Sequence, residues 1–439
     1  MMHGPASKSV LLLDISRLIW RARRRGPTGI DRVELAYAQH FIATRGERPA
    51  YAVLHLLGFV FAISPSGGQR FIEELTARWQ GSAPLTTWAN LIAIAKVYSH
   101  LFSSFWLFGP WLHNKLRGYP GSPVFLVTSH HHVSRRHTID RIRCTLGVKT
   151  VCFLHDLIPI DFPEYFKPGW EQRYHQLASN VGRLFDAVIA NSETTAGSLR
   201  TCLKEEPEIA ATRMIRVASP GVRTFQRPAG FRNAARDRPY FVVLGTIEPR
   251  KNHLLLLNLW TRLASTMPTP PRLLVIGHRG WENEQVVDML ERSRRLRGLV
   301  EELNGLSDAQ VGAILCGAQA LLLPSFAEGF GLPLAEALAS GIPAICSDIP
   351  VFRELGRDAA EYLDPLDLQS WSAAVVDYSR PDSPRRAAQM ERLTRWQAPS
   401  WSDHFAAVEQ MLVDLETTRL SALPATGIDL DAAQALELR

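Results

Sequence analysis

Residues 328–336 read EGFGLPLAE, inside a longer run, ALLLPSFAEGFGLPLAEALASGIPAICSDIPV, that spans 320–351. An apolar strand leads into Pro324 and Ser325, then to Glu328 and the turn Gly329-Phe330-Gly331, and a helix begins near Leu332. Glycines let the backbone turn sharply and approach a ligand, and the free N–H groups at a helix start point toward an anion. A diphosphate fits that description. Glu328 lies in the turn and Glu336 about one turn inside the helix. A carboxylate accepts paired hydrogen bonds from vicinal hydroxyls, so one suits a sugar and the other a ribose. Glu336 also reads as an acid near a helix start, favoured by the helix dipole by about 0.3–1 kcal/mol.

Outward from this segment, short apolar runs recur at 10–13, 124–127, 150–154, 187–190, 240–244, 272–276, 320–323 and 344–346, separated by helical stretches. That alternation predicts parallel sheets of the doubly wound α/β kind, with ligands beyond the carboxyl ends of the strands. At 439 residues the chain exceeds what one core serves, so two domains of roughly 200 residues each are expected. The stretch 226–239, rich in Arg, Pro, Gly and Asn, reads as the linker. It separates an N-terminal domain, 1–225, from a C-terminal one, 240–400. A helix over 401–416 with apolar spacing is expected to pack back on the N-terminal domain, and 417–439 reads as a tail.

Three further strand ends carry chemistry. After the strand at 240–244 comes Gly245-Thr246-Ile247-Glu248-Pro249-Arg250-Lys251-Asn252. Two adjacent cations beside a glycine turn suit a departing diphosphate, Arg with a fork and Lys with a point charge. After 150–154 comes His155-Asp156, where an imidazole with an ordinary pKa of about 6.5 is placed to donate to a sugar hydroxyl near neutral pH, or to serve as a structural hydrogen-bonder. After 10–13 comes Pro27-Thr28-Gly29-Ile30-Asp31-Arg32, a small turn before a helix in which Gly29 lets backbone amides approach the same phosphate. Asn191-Ser192-Glu193 reads equally as a helix cap. Ile276 to Trp281 closes another strand and reads either as pocket lining or as an ordinary turn. The run His130 to His132 reads as an exposed loop, because three adjacent residues do not readily direct their side chains to one ion.

Taken together, EGFGLPLAE, SGIPAICSDIPVFREL, EPRKNH, the Gly29 turn and HDLIPIDFPEYF resemble retaining GT-B glycosyltransferases of family 4, in particular bacterial polysaccharide and O-antigen mannosyltransferases. The resemblance implies two Rossmann-like domains facing a central cleft. It implies that Glu328 contacts the transferred sugar, that the turn at Phe330, Gly331 and Leu332 contacts sugar and phosphate, and that Glu336 binds the ribose. Gly29, Gly245, Arg250 and Lys251 then line the donor phosphates, and His155 stands at the reacting centre. One departure is plain: Thr246 stands where the family has Arg, with Arg250 as the substitute guanidinium. The implied donor is a sugar nucleotide, GDP-mannose first and a UDP-sugar as the alternative, with no metal and no other cofactor. The implied acceptor is a glycan, free or lipid-linked. Replacing Glu328, Lys251 or His155 by Ala is expected to reduce turnover and leave folding intact.

Composition excludes other classes. Apolar residues make up 46% and charged residues 21%, as in ordinary globular domains. Five scattered cysteines, never in CxxC spacing, argue against a disulfide framework or a zinc site and suit a reducing cytoplasm. No apolar run reaches the length of about 18 residues that spans a membrane, and no signal peptide is read at the start. A net charge of +6 without a recognisable motif does not indicate nucleic-acid binding. Two features suggest contact with the inner face of the cytoplasmic membrane: the basic cluster Arg17, Arg21, Arg23, Arg24 and Arg25, and the aromatic stretch 88–115, read as a helix pair either in the core or at the interface. The rival readings are a non-catalytic glycan-binding scaffold and a nicotinamide-dependent dehydrogenase. The first is disfavoured by the presence of Glu328 and Lys251, the second by the lack of GxGxxG after a strand.

Overall fold

The computed structural model describes residues 8–24, 26–44, 46, 48–56, 59–80, 87–102, 105–108, 110–133, 136–204, 214–226 and 238–417. Among them, eight strands form one sheet: β1 (Leu11–Asp14), β2 (Ala50–Leu56), β3 (Phe59–Ile63), β4 (Phe105–Phe108), β5 (Val124–Val127), β6 (Lys149–Leu154), β7 (Ala187–Ala190) and β8 (Met214–Val217). Their order is β4-β3-β2-β1-β5-β6-β7-β8. Six more, β9 (Tyr240–Leu244), β10 (Arg272–Ile276), β11 (Val300–Leu303), β12 (Leu321–Leu323), β13 (Ala344–Ser347) and β14 (Glu361–Leu363), form a parallel sheet ordered β11-β10-β9-β12-β13-β14.

Helices cover both faces of each sheet, which is why the central strands are continuous apolar runs. In β1, Leu11 and Leu13 enter one core and Leu12 the other. In β9, Tyr240 and Val242 split from Phe241 and Val243 in the same way. Strand order reverses between β1 and β5 in the first sheet and between β9 and β12 in the second. The crevice at such a point is where doubly wound sheets bind ligands.

The first sheet departs from the expected all-parallel form. Toward its edge β3 runs antiparallel to both its neighbours, β2 and β4, with Val53 opposite Ala62 and Phe61 opposite Phe108. β4 also breaks the helix pair expected over 88–115, which instead forms helix Thr87–Phe102, then β4, then helix Pro110–Leu116.

The chain crosses between the domains twice. Val222 and Phe225 already pack against the second domain's core, a few residues before the expected linker, whose residues 227–237 lie outside the described ones. On the return, Val222 N–H donates to the Pro399 carbonyl at 3.3 Å. Helix Trp401–Thr417 then packs on the first domain, where Phe405, Val408, Met411, Leu412 and Leu415 join Leu11, Tyr37 and Phe41. Buried Arg48 reaches Glu409 at 3.1 Å and Glu416 at 2.6 Å on that helix. The tail expected from 417 onward lies, past that residue, outside the described residues.

Candidate functional site

β9 and β12 end side by side, and their loops bring the two strongest motifs together. Pro249–Lys251 form a turn of 3-10 helix after β9, and Asn252 then takes a left-handed conformation that starts helix His253–Thr266. This aims Arg250 and Lys251 at Glu328. The Lys251 ammonium and the Ser325 hydroxyl, the latter at 2.8 Å, donate to one carboxylate oxygen of Glu328, and Arg250 donates to the other at 2.9 Å. Arg250 also donates to the Ala327 carbonyl at 2.9 Å and pairs with Glu248 at 2.6 Å. The Lys251 side chain passes over Gly245, whose missing Cβ would lie 3.6 Å from the lysine Cε.

Burial alone would raise the Glu328 carboxyl. The charges of Lys251 and Arg250 and their hydrogen bonds outweigh it and bring the group down to about 2. Burial lowers the Lys251 ammonium, with Arg250 adding to that and Glu328 opposing it. Burial raises the neighbouring carboxyls of Glu248 and Asp156.

Helix Leu332–Ala339 starts at Gly331, whose φ of 88° a side chain would strain, and Pro333 sits in its first turn. The Phe330 ring is buried in the second domain's core, so only its backbone faces the turn. Glu336, inside the helix, is not free. Arg223 donates to it at 3.1 and 3.3 Å and also bonds Asp308, and Asp308 accepts from Arg32 of the first domain at 2.6 and 3.0 Å. A chain of alternating charge therefore runs from Arg32 across the cleft to Glu336.

The first domain closes on this turn. A Cβ on Gly329 would stand 2.5 Å from the His155 carbonyl, so only glycine fits. The Gly329 carbonyl accepts from Ser192 at 2.8 Å and Thr195 at 3.2 Å. Ser192 also accepts from the Thr195 N–H at 3.0 Å, so it both caps a helix and spans the cleft. Gly29 opens helix Gly29–Ala38, capped by Thr28 and Asp31, and its missing Cβ would lie 3.1 Å from Leu332. The residues expected to line one site thus meet in one place.

Several expectations change. The N–H at His155 Nε2 donates to the Thr128 carbonyl at 2.8 Å, which leaves Nδ1 as an acceptor. Burial, with His130 adjacent, holds this imidazole well below its ordinary pKa. It is neutral at physiological pH, so Nδ1 is available to accept a hydrogen bond from a hydroxyl rather than to give one. His130 is not in an exposed loop: it lies in helix His130–Val133, and its Nε2 accepts from the His155 N–H at 3.0 Å. Arg17 and Arg21 turn inward onto Asp31 and Glu34, at 2.6–2.8 Å, whereas Arg23 and Arg24 are exposed. Thr246 lies 3.4 Å from His278, and Arg279 pairs with Glu291 and Glu302. Glu248, Asp156, Ser325 and Arg223 are participants that motif reading passed over. The first three stand within the quoted stretches without a role of their own, and Arg223 lies just before the expected linker, in no motif.

Two doubly wound domains closing on a helix-start turn and a cation pair make up the GT-B fold. Residues 228–380, which span most of the second domain, match the family model of glycosyl transferases group 1. O-antigen chain mannosyltransferase B of Escherichia coli is 33% identical over 164 residues, covering 37% of this chain and 43% of that protein. O-antigen chain mannosyltransferase RfbU of Salmonella typhimurium is 27% identical over 307 residues, 68% of this chain and 78% of that one. The chain thus spans less than half the length of the first of these relatives. Anabaena Alr3699/HepE, solved with UDP and glucose, matches 94% of this chain and 100% of its own with a TM-score of 0.58 at 14% identity, a likeness of fold.

Proposed function

We propose that the chain transfers mannose from GDP-mannose, with retention of configuration, onto a bacterial cell-surface glycan carried on a lipid. The observation that carries this is the convergence of Lys251 and Arg250 on Glu328 beneath the Gly329–Leu332 turn. The departing nucleoside diphosphate gains negative charge, and Lys251, Arg250 and the helix-start amides neutralise it in a water-poor cleft. No metal is needed for that step. Three donors already engage Glu328, so it orients the sugar and does not act as a base. The departing phosphate takes the acceptor's proton, with His155 Nδ1 accepting from a neighbouring hydroxyl. Glu336, held by Arg223, meets the ribose. The names of the two mannosyltransferase relatives support the sugar, and the UDP in the Anabaena structure keeps a UDP-sugar as the alternative donor.

Thermal-shift measurements with GDP, UDP, GDP-mannose and UDP-glucose are expected to favour the guanine pair. A nucleotide at a hundredfold excess over its Kd contributes about 2.7 kcal/mol. Stabilisation by UDP alone would move the assignment to a UDP-sugar. NMR of the product is expected to show a retained anomeric centre, whereas inversion would make Asp156, whose carboxyl burial raises beside Arg250, the base.

The membrane reading is carried by a smaller patch than the arginine cluster implies. Trp20, 55% exposed, lies under the Arg23 guanidinium at 5.4 Å, and helix Thr87–Phe102 docks beside it through the Tyr98 hydroxyl on the Ile19 carbonyl. That helix presents Ile92, 68% exposed, and Lys96 on its outer face. No helix among the described residues is long and apolar enough to cross a membrane. Association through the patch is expected to release in high salt. Recovery in the soluble fraction at low salt would contradict it.

A further inference from the structure

A strip of aromatic rings lies along the cleft, and the proposed transfer step leaves it unused. Phe162, Tyr165, Phe166, Trp170 and Tyr174 come from one segment of the first domain, and Trp281 and Phe326 from the second. Tyr165 stacks on Phe326 with centroids 5.1 Å apart and planes 6° from parallel, and Phe162 stacks on Tyr165 at 6.2 Å. Trp281 meets Phe166 and Trp170 at 6.0 Å each, and its indole N–H donates to the Tyr165 carbonyl at 3.1 Å. From Trp170 the rings continue to Tyr174 at 6.1 Å, to His130 at 6.0 Å and to His155 at 5.3 Å.

Packing alone does not account for this array. Apart from Tyr174, none of the seven rings belongs to any of the four hydrophobic cores, and all remain partly exposed. Partly exposed aromatic rings that do not build a core mark binding surfaces. The strip ends at His155, whose backbone carbonyl lies against Gly329, and the Phe326 N–H donates to the Arg250 carbonyl at 2.8 Å, so it is continuous with the reacting centre. The charges of this segment, Asp161, Glu164 and Glu171 against Lys167 and Arg173, leave no excess of positive charge, which suits a neutral ligand over an anionic lipid surface. A pyranose matches it: the C–H groups on one face of the ring lie against a π face while the hydroxyls stay hydrated.

We propose that this strip is the acceptor subsite, holding successive pyranose rings of a glycan chain and leading its end to His155. The proposal rests on transfer to a glycan but not on the identity of the donor. The test is calorimetric titration of the full chain with manno- and gluco-oligosaccharides, from the monosaccharide to the tetrasaccharide, in parallel with GDP and with phosphatidylglycerol vesicles. One oligosaccharide series is expected to bind more tightly as it lengthens. Trp170→Ala and Trp281→Ala are each expected to weaken the tetrasaccharide about tenfold, with GDP affinity unchanged, and Trp170→Phe to retain most of the binding. Failure of both series to bind the parent, equal affinity in both alanine variants, or loss of vesicle binding in place of oligosaccharide binding would overturn the subsite. GDP-mannose turnover is assayed separately. Oligosaccharide binding without that turnover supports the strip and removes the donor, and turnover without binding removes the strip.

Discussion

Lys251→Met is expected to lower turnover by about 10²–10³, the loss that follows removal of one charge stabiliser from a preorganised site. Glu328→Ala is expected to lower it at least as far and to destabilise the fold as well. From motifs alone both residues are substrate contacts, and their removal should leave folding intact. The geometry says otherwise. Both are buried, and removing one partner from a buried ion pair costs about 3–5 kcal/mol because the other charge is left uncompensated. Lys251→Met leaves Glu328 with Arg250 and Ser325, a tolerable remainder. Glu328→Ala leaves two cations together with no carboxylate between them. Added GDP, whose diphosphate can pair with those cations, is therefore expected to recover more melting temperature in Glu328→Ala than in the parent, and less in Lys251→Met. Parent-like kcat in Lys251→Met, or no extra recovery by GDP in Glu328→Ala, would place the diphosphate elsewhere.

The strands legible in the sequence are those buried on both faces, such as VFLV at 124–127 and YFVVL at 240–244, because a continuous apolar run has no other use in a soluble domain. Those that escape notice lie toward the edges or lack such a run. VEEL at 300–303 and EYL at 361–363 carry acids on half-buried strands, and the antiparallel edge interrupts a stretch that reads as helical. The site shows the same division. Gly329, Gly331, Lys251 and Glu328 are legible because their chemistry is local to a strand end. Arg223, Asp308 and Arg32 are not, because what they do exists only after two domains and the connecting segment meet. The aromatic strip is the extreme case: its rings come from three separate stretches, 162–174, Trp281 and Phe326, without helical or strand periodicity between them.

Mild acid is expected to destabilise the protein well before most carboxylates titrate, and His253→Leu to relieve part of that loss. Burial holds four histidines neutral: His130, His253 and His404 are pushed down to about 4, and His155 is also held low. In the unfolded chain each takes a proton near pH 6.5. Between about pH 6.5 and 4 the unfolded state therefore binds protons that the folded state refuses. Stability is complete above that window and falls as the pH drops through it. From pH 7 to 5 each group costs about 2 kcal/mol. Glu34, raised by burial to about 7, acts in the opposite sense and offsets about one of them. Asp156, Glu248 and Glu336, also raised by burial, offset part of the remainder. His253 separates this account from a general acid effect, since among the described residues neither of its buried ring nitrogens has a hydrogen-bond partner that its loss would leave unpaired. Leucine fills similar space and binds no proton, so the melting temperature of His253→Leu should fall less steeply than the parent's between pH 7 and 5. Parallel curves over that range would mean that His253 takes up its proton in the folded state.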